Sequence, residues 1–221
     1  MPLIVVPTPI GNLGDMTLRG IEALKEADII ACEDTRNTIN LLRHFEIRKK
    51  LVSYHEHNEI VRTSYLIGLM EEGKSIALVS DAGTPGISDP GYVIIKAAIE
   101  EGIPVDILPG ANAIIPALLS SGFPPHPFTF IGFLPDKKGE RLKYLESFKS
   151  LKWPLVFYLS PHKAEKHLDD LITVLGNRKC AMSREITKIY QETIRCPLSE
   201  LLLQFQTKNI KGELVLVVYG S

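Results

Sequence analysis

Short runs of β-branched and other apolar residues alternate with longer segments of helical period from one end of the chain to the other, the pattern of α/β architecture on mostly parallel sheets. Ten runs read as strands: residues 3–6, 29–32, 51–54, 75–79 and 105–108, then 128–131, 155–159, 179–183, 188–196 and 213–219. Between them Leu18, Ile21 and Leu24 recur at three-residue spacing and Val61, Tyr65 and Leu69 at four, each predicting the apolar face of an amphipathic helix. Five strands precede the Pro109-Gly110 break and five follow it, so the chain divides into an N-terminal α/β domain, 1–112, and a C-terminal one, 113–221, without a long linker or an internal repeat.

Composition narrows the class. The 221 residues are 45% hydrophobic and 23% charged, which excludes disordered, collagen-like and coiled-coil chains. Lys plus Arg number 25 against 26 Asp plus Glu, so no global charge advertises nucleic acid or a membrane surface. Charge is local instead. Arg36, Arg43, Arg48, Lys49 and Lys50 stand against Glu46, and Lys137, Lys138, Arg141, Lys143, Lys149 and Lys152 against Glu140 and Glu146, a net +4 in each stretch. Cys32, Cys180 and Cys196 are odd in number and widely spaced, so they frame neither disulfides nor a zinc site and suit a reducing compartment. The apolar run at 3–6 is too short for a signal peptide, and no apolar run approaches the roughly 20 residues of a membrane span. A cytoplasmic protein without a membrane partner is expected.

In open α/β sheets ligands bind beyond the carboxyl ends of strands, so the loops 7–15, 33–36, 80–91 and 109–112 are the places to look. Residues 68–75 match the phosphate-binding pattern GxxxxGKS, but a helix precedes and a strand follows, the reverse of the order that pattern requires, so Gly73 reads as a helix C-terminal residue. GxGxxG follows no strand, so a standard Rossmann dinucleotide site has no support in the sequence. The loop 80–91 holds three glycines and two prolines, a combination that suits a rigid cradle for a ligand's polar groups. The plainer reading is a stiff connection with Asp89 capping the next helix. His55 and His57 are two apart and lack a third histidine, so a loop with Asn58 as N-cap is expected there rather than a metal. His162 and His167, five apart, are assigned to the surface.

Six ordered stretches carry a resemblance: VPTPIGNLGDMTLRGIEAL (6–24), CEDTRNT (32–38), SYHEHNE (53–59), LVSDAGTPGISDPGY (78–92), SREITKIYQE (183–192) and KGELVLVV (211–218). Through them the chain resembles the ribosomal RNA methyltransferase branch of the tetrapyrrole methylase superfamily. That resemblance implies two α/β domains with a cofactor cleft between them, a homodimer, and S-adenosylmethionine as methyl donor. It implies 2′-O-methylation of a cytidine in the decoding region of small-subunit ribosomal RNA, presented naked or in the assembled subunit. It further implies cofactor contacts from Pro9, Asp81, Gly83, Thr84, Ile87, Asn112 and Ala113, and from Leu159, Met182, Gly212 and Glu213 in the second domain. Thr84 stands where tetrapyrrole enzymes often have an acid, and Asn112 departs from the serine common in the family. Many members also continue into a C-terminal helical region that follows the last strand.

A ribose hydroxyl is a poor nucleophile until its proton leaves, and Glu33, His55, Glu185 and Lys188 are the candidate acceptors in the motif loops. The duller reading pairs Glu33 with Arg36 and Glu185 with Arg184. Arg36, Arg184 and Lys188 are candidates for holding RNA phosphates, and Phe133 for stacking on a base. A methylase of the same scaffold acting on a tetrapyrrole or a protein side chain, and a catalytically idle ribosome-binding protein, are the alternatives.

Overall fold

The computed structural model describes residues 2–221. Two compact units divide the chain, the first ending at Asn112 and the second running Ala113–Ser221.

In the first unit β1 (Leu3–Val5), β2 (Ile29–Cys32), β3 (Lys50–Ser53), β4 (Ile76–Val79) and β5 (Val105–Ile107) form one parallel sheet in the order β3-β2-β4-β1-β5. Side chains alternate along each strand, so Ile4, Val6, Ile30, Cys32, Ala77 and Val79 meet Ala23 and Leu24 of α1 (Leu18–Glu26) and Leu42 of α2 (Thr35–His44). Leu3, Val5, Ile29, Ala31, Ile76 and Leu78 meet Leu66 and Met70 of α3 (Glu59–Glu71) and Ile94 and Ala98 of α4 (Tyr92–Glu100). Helices on both faces explain why β2 and β4 are apolar at every position.

Of the α3 face read from Val61, Tyr65 and Leu69, only Leu69 packs against the core, and the main buried stripe is another. Val61 is 76% exposed and Tyr65 42%, while Thr63, Leu66 and Met70 are buried. Four-residue spacing finds a stripe but does not rank two stripes, and the buried one contains a polar residue, Thr63, whose hydroxyl lies 3.0 Å from that of Tyr54. Leu18 likewise stands exposed at the start of α1, whereas Leu24 is fully buried. Helix α3 ends in a Schellman closure, with Gly73 N–H donating to Met70 and Lys74 N–H to Leu69, and Gly73 in the left-handed region at φ 85°. This is the C-terminal role read for Gly73.

In the second unit β6 (Thr129–Phe133), β7 (Leu155–Leu159), β8 (Lys179–Arg184), β9 (Glu192–Pro197) and β10 (Leu214–Val218) are ordered β6-β7-β10-β8-β9. Only β6 and β7 pair in parallel, so mostly parallel pairing, expected for both sheets, fails here. The physical reason is connection length: residues 185–191 between β8 and β9 are too few for a crossover helix, so the chain must return antiparallel. They also delay β9, expected from residue 188, to Glu192, because Glu185 and Thr187 adopt positive φ in the turn. Leu168 and Leu171 of α7 (Ala164–Leu175) and Leu201 and Phe205 of α8 (Leu198–Thr207) cover one face; Ala117 and Leu118 of α5 (Ile114–Ser121) cover the other. The remaining helix is α6 (Lys138–Glu146).

His167 is 4% exposed, not on the surface, because the helical period puts it in register with Ala164 and Leu171. Burial, with Arg141 and Lys163 nearby, lowers its pKa. His162 is exposed as expected. The basic stretch on α6 is also less free than its sequence suggests: Arg141 is buried and its Nε donates to Asp170 at 2.7 Å, while Lys137 and Lys149 pair with Glu140 and Glu146. Among the described residues no helix is long and apolar enough to cross a membrane.

Candidate functional site

Strands β1 and β4 are neighbours, yet α1 and α4 that follow them pack on opposite faces, which opens a crevice at their carboxyl ends. The two strand-end loops are laced together there. Thr8 and Gly83 exchange both backbone hydrogen bonds at 2.9 Å, and the buried Thr8 hydroxyl donates to the Ser80 carbonyl at 3.0 Å. Gly83 and Gly86 sit at φ 76° and 88°, and Gly86 N–H donates to the Asp89 carbonyl. A Cβ on Gly110 would stand 2.6 Å from Pro7 Cβ, so the loop after β5 closes on the loop after β1 only because residue 110 has no side chain. Thr84 Oγ1 and Asn112 Nδ2 donate to the carbonyls of Ala111 and Gly110, both at 3.5 Å. A pocket of about 250 Å³ opens beside this lattice, lined by Thr8, Pro9, Asn37, Asn40, Ser80 and Asp81 among others. Of the cofactor candidates, Pro9 and Asp81 line it; Gly83 and Thr84 form its frame, and Ile87 stands exposed on the same loop.

Carboxylates crowd this rim. Asp34 caps α2, accepting from Arg36 N–H at 2.8 Å, and pairs with the Arg36 guanidinium at 2.6 Å, whose hydrogen bond holds the Asp34 carboxyl down to about 2. Arg36 is therefore the partner of Asp34 and not of Glu33; a side chain capping its own helix reaches the first-turn arginine before its neighbour does. Asp81 accepts from Asp34 N–H at 3.1 Å and Asn37 Nδ2 at 2.7 Å, and Asp81 N–H donates to Glu33 at 3.5 Å. Burial raises the Glu33 pKa, with the charges of Asp81, Glu56 and Asp34 adding to it. Asp89 rises to about 6, first through burial and then through Glu33 and Asp81. Asp89 does not cap α4, whose N-cap is Gly91 without a side-chain bond. Asp89 is not among the acceptors that the motif loops suggest; the signal for it in the sequence is a carboxylate inside the Gly/Pro-rich loop itself.

His55 lies at the end of the β3 loop with Nε2 3.1 Å from Asn58 Nδ2 and Nδ1 buried without a hydrogen-bond partner. Asn58 takes the N-cap position of α3, but its side chain accepts from His55 N–H and braces the loop instead of capping the helix. His57 points at Glu56 in solvent. Among the described residues no group of three or more His, Cys, Asp or Glu is arranged to hold a metal ion.

In the second unit Glu185 Oε1 accepts from Glu213 N–H at 2.9 Å, and Lys188 Nζ lies 3.1 Å from both Glu185 and Glu213. Glu185 is accordingly held below the usual carboxylate range, first by the Glu213 N–H and then by Lys188. Burial would lower Lys188, but the two carboxylates outweigh it and raise the pKa. A charged pair of this kind is a poor proton acceptor. Arg184 pairs with Glu192, its antiparallel neighbour across β8 and β9, at 2.7 Å, and not with Glu185. Gly212, at φ 102°, lets Glu185 approach so closely that a Cβ would sit 2.7 Å from its Cγ. Leu159 and Met182 bury their side chains in the core under α7 and α8, and Ala113 is the N-cap of α5. Phe133 is 60% exposed with its ring 5.3 Å from that of Tyr158.

Residues 2–202 match the profile of the tetrapyrrole (corrin/porphyrin) methylases. The chain belongs to this family. It is 52% identical over 219 residues to a ribosomal RNA small subunit methyltransferase I of Halalkalibacterium halodurans, covering 99% of this chain and 76% of that protein. Among solved structures it resembles a diphthine synthase (TM-score 0.73, 17% identity, 100% and 90% of the two chains). It also resembles a uroporphyrin-III C-methyltransferase of Thermus thermophilus complexed with S-adenosylhomocysteine (0.67, 17%, 99% and 97%). These last two establish the fold alone. This tetrapyrrole methylase family member is a methyltransferase, and its paired sheets are the scaffold it shares with both structures.

Proposed function

We propose that the chain methylates the ribose 2′-hydroxyl of a cytidine in the decoding region of small-subunit ribosomal RNA. The methyl donor is S-adenosylmethionine. Its sulfonium supplies a methyl carbon already activated for in-line displacement. The protein has to align that carbon with the hydroxyl, exclude water and receive a proton. The residues at the first unit's strand ends suit such a ligand: Thr8, Asn37, Ser80 and Asp81 bring polar groups to a small pocket whose wall also holds Pro9, Leu13 and Leu41, and Asp81 in that wall, with Glu33 and Asp89 near enough to feel its charge, supplies the negative charge a sulfonium cation favours. Left-handed Gly83 and Gly86 hold the loop backbone in place without side chains of their own.

Asp89, on the same loop as Gly83 and Gly86 and within reach of the charges of Glu33 and Asp81, is the acceptor of this reading, because an acid near 6 is largely ionised at neutral pH yet basic enough to take a proton. Glu33 shares the role as its neighbour. Phe133 offers an exposed ring for a splayed base. The same reading carries a homodimer and a cytoplasmic location.

The observation behind the RNA substrate is the identity of 52% to a relative named for it, spread over nearly the whole chain. Transfer of labelled methyl to unmodified small ribosomal subunits, with naked ribosomal RNA and a tetrapyrrole precursor in parallel, tests it. Label recovered as 2′-O-methylcytidine is expected. Label on the tetrapyrrole, or on a base carbon or nitrogen, refutes the assignment.

A further inference from the structure

Three cations named as phosphate holders from their motif loops are already engaged: Arg36 with Asp34, Arg184 with Glu192, and Lys188 with Glu185 and Glu213. A phosphate would have to compete with those carboxylates for each of them. The opposite situation holds on the outer side of α2. There a groove of about 750 Å³ is lined by Ile39, Arg43, Glu46, Arg48, Lys49 and Leu51 among others. Arg43 and Arg48 are exposed and have no acidic partner among the described residues, and Lys49, half-buried, feels Asp28 only at a distance. Glu46 is the single acid in the lining.

The groove has a local cause. Helix α2 ends in a Schellman closure, with Glu46 N–H donating to Arg43 and Ile47 N–H to Leu42, so Leu42 and Ile47 seal the floor against the sheet. The chain then turns into β3, which is the edge of the sheet, and among the described residues of the first unit no further element covers the space between that edge and α2. Its walls are mixed in character, with apolar Ile39 and Leu51 beside guanidinium groups. Charges on an edge strand guard against edge-to-edge pairing, and Lys50 alone serves that end. That protective role explains neither a groove nor the unpaired Arg43 of α2 and Arg48 of the following turn that line it.

We propose that this groove binds the sugar–phosphate backbone of the RNA substrate, with Arg43 and Arg48 on phosphates and Lys49 supporting them. The inference rests on the RNA reading above and locates where the strand is held. A groove of this volume is within the roughly 300–1,000 Å³ range of ligand pockets. A positive groove with apolar walls is the form that tracks single strands, and the arginine fork matches phosphate oxygens. Glu46 at the rim opposes the same charge.

The test measures affinity for unmodified small-subunit ribosomal RNA and for assembled small subunits as a function of salt, in wild type, Arg43→Ala/Arg48→Ala and Glu46→Gln. Each single-strand phosphate contact contributes a salt slope of about −0.7, so the double variant should flatten the slope by about 1.4 and weaken binding about tenfold at low salt. Glu46→Gln should bind RNA more tightly, a gain that misfolding cannot produce. Thermal stabilisation by S-adenosylmethionine in all three proteins checks that the strand-end loops remain intact. A wild-type slope and affinity in the double variant, with methyl transfer to RNA intact in wild type, overturns the groove and leaves the RNA reading standing. Weakened binding to assembled subunits with unchanged binding to naked RNA also overturns it, since the groove would then meet a protein. Failure of wild type to bind or methylate either substrate refutes the RNA reading and this inference together.

Discussion

Asp89, the proposed proton acceptor, also ties stability to pH. Its pKa rises from 3.8 to about 6 on folding because burial and the charges of Glu33 and Asp81 disfavour the ionised form. The folded state therefore holds a proton that the unfolded chain has lost between pH 4 and 6, so stability falls as pH rises through that window. Asp89→Asn should raise stability at pH 7.5 by about 1–2 kcal/mol, after allowance for partial solvent access, and change it little at pH 4. Denaturant titration at the two pH values checks this, and methyl transfer by the same variant should fall at least about a hundredfold. Asp34 works in the other direction: held at about 2, it adds stability above pH 4 that is lost as pH falls towards 2. Neither shift was legible from spacing. The residue types and their loops were, but which carboxylate caps a helix and which is left buried beside two others depends on where α2 and α4 begin.

At the scale of elements, two closures set the shape of the first unit. Helix α3 ends on glycine, whereas α2 ends the same way with Glu46 at φ 56°, where a Cβ costs about 1 kcal/mol. Glu46→Gly should stabilise the unit by about 0.5–1 kcal/mol, read as a higher denaturation midpoint. The second unit depends on the contact between α6 and α7, where Arg141 and Asp170 are 3% and 2% exposed and Arg141 Nη1 also donates to the Pro135 and Asp136 carbonyls at 2.8 Å. Arg141→Met leaves Asp170 and two carbonyls without that donor, with only Lys138 at 3.7 Å remaining, and should cost about 3–5 kcal/mol. Chemical denaturation of that variant checks the cost. From sequence Arg141 counted towards a basic surface; helix period brings it inward, as it does His167. Strand positions were read within a residue or two, except at 188–191, where positive φ at Glu185 and Thr187 turns the chain before β9 can start.

For the whole molecule, ligand linkage is the simplest expectation. S-adenosylmethionine at about a hundred times its dissociation constant should stabilise the unit that binds it by about 2.7 kcal/mol, seen as a rise in the thermal midpoint. Gly110→Ala, which drives Pro7 out of position, should reduce that shift and not only the midpoint of the free protein. By itself the sequence determined the α/β class, the family and the strand-end loops that form the candidate site, because hydrophobic period, Gly/Pro loops and ordered motifs are local properties of the chain. Only the tertiary structure decided which stripe of α3 is buried, that the second sheet is largely antiparallel, that Arg36, Arg184 and Lys188 are paired, and that Arg43 and Arg48 face an open groove. Those outcomes depend on which charges and faces meet across stretches far apart in the chain, and a charge's partner is a fact of three dimensions.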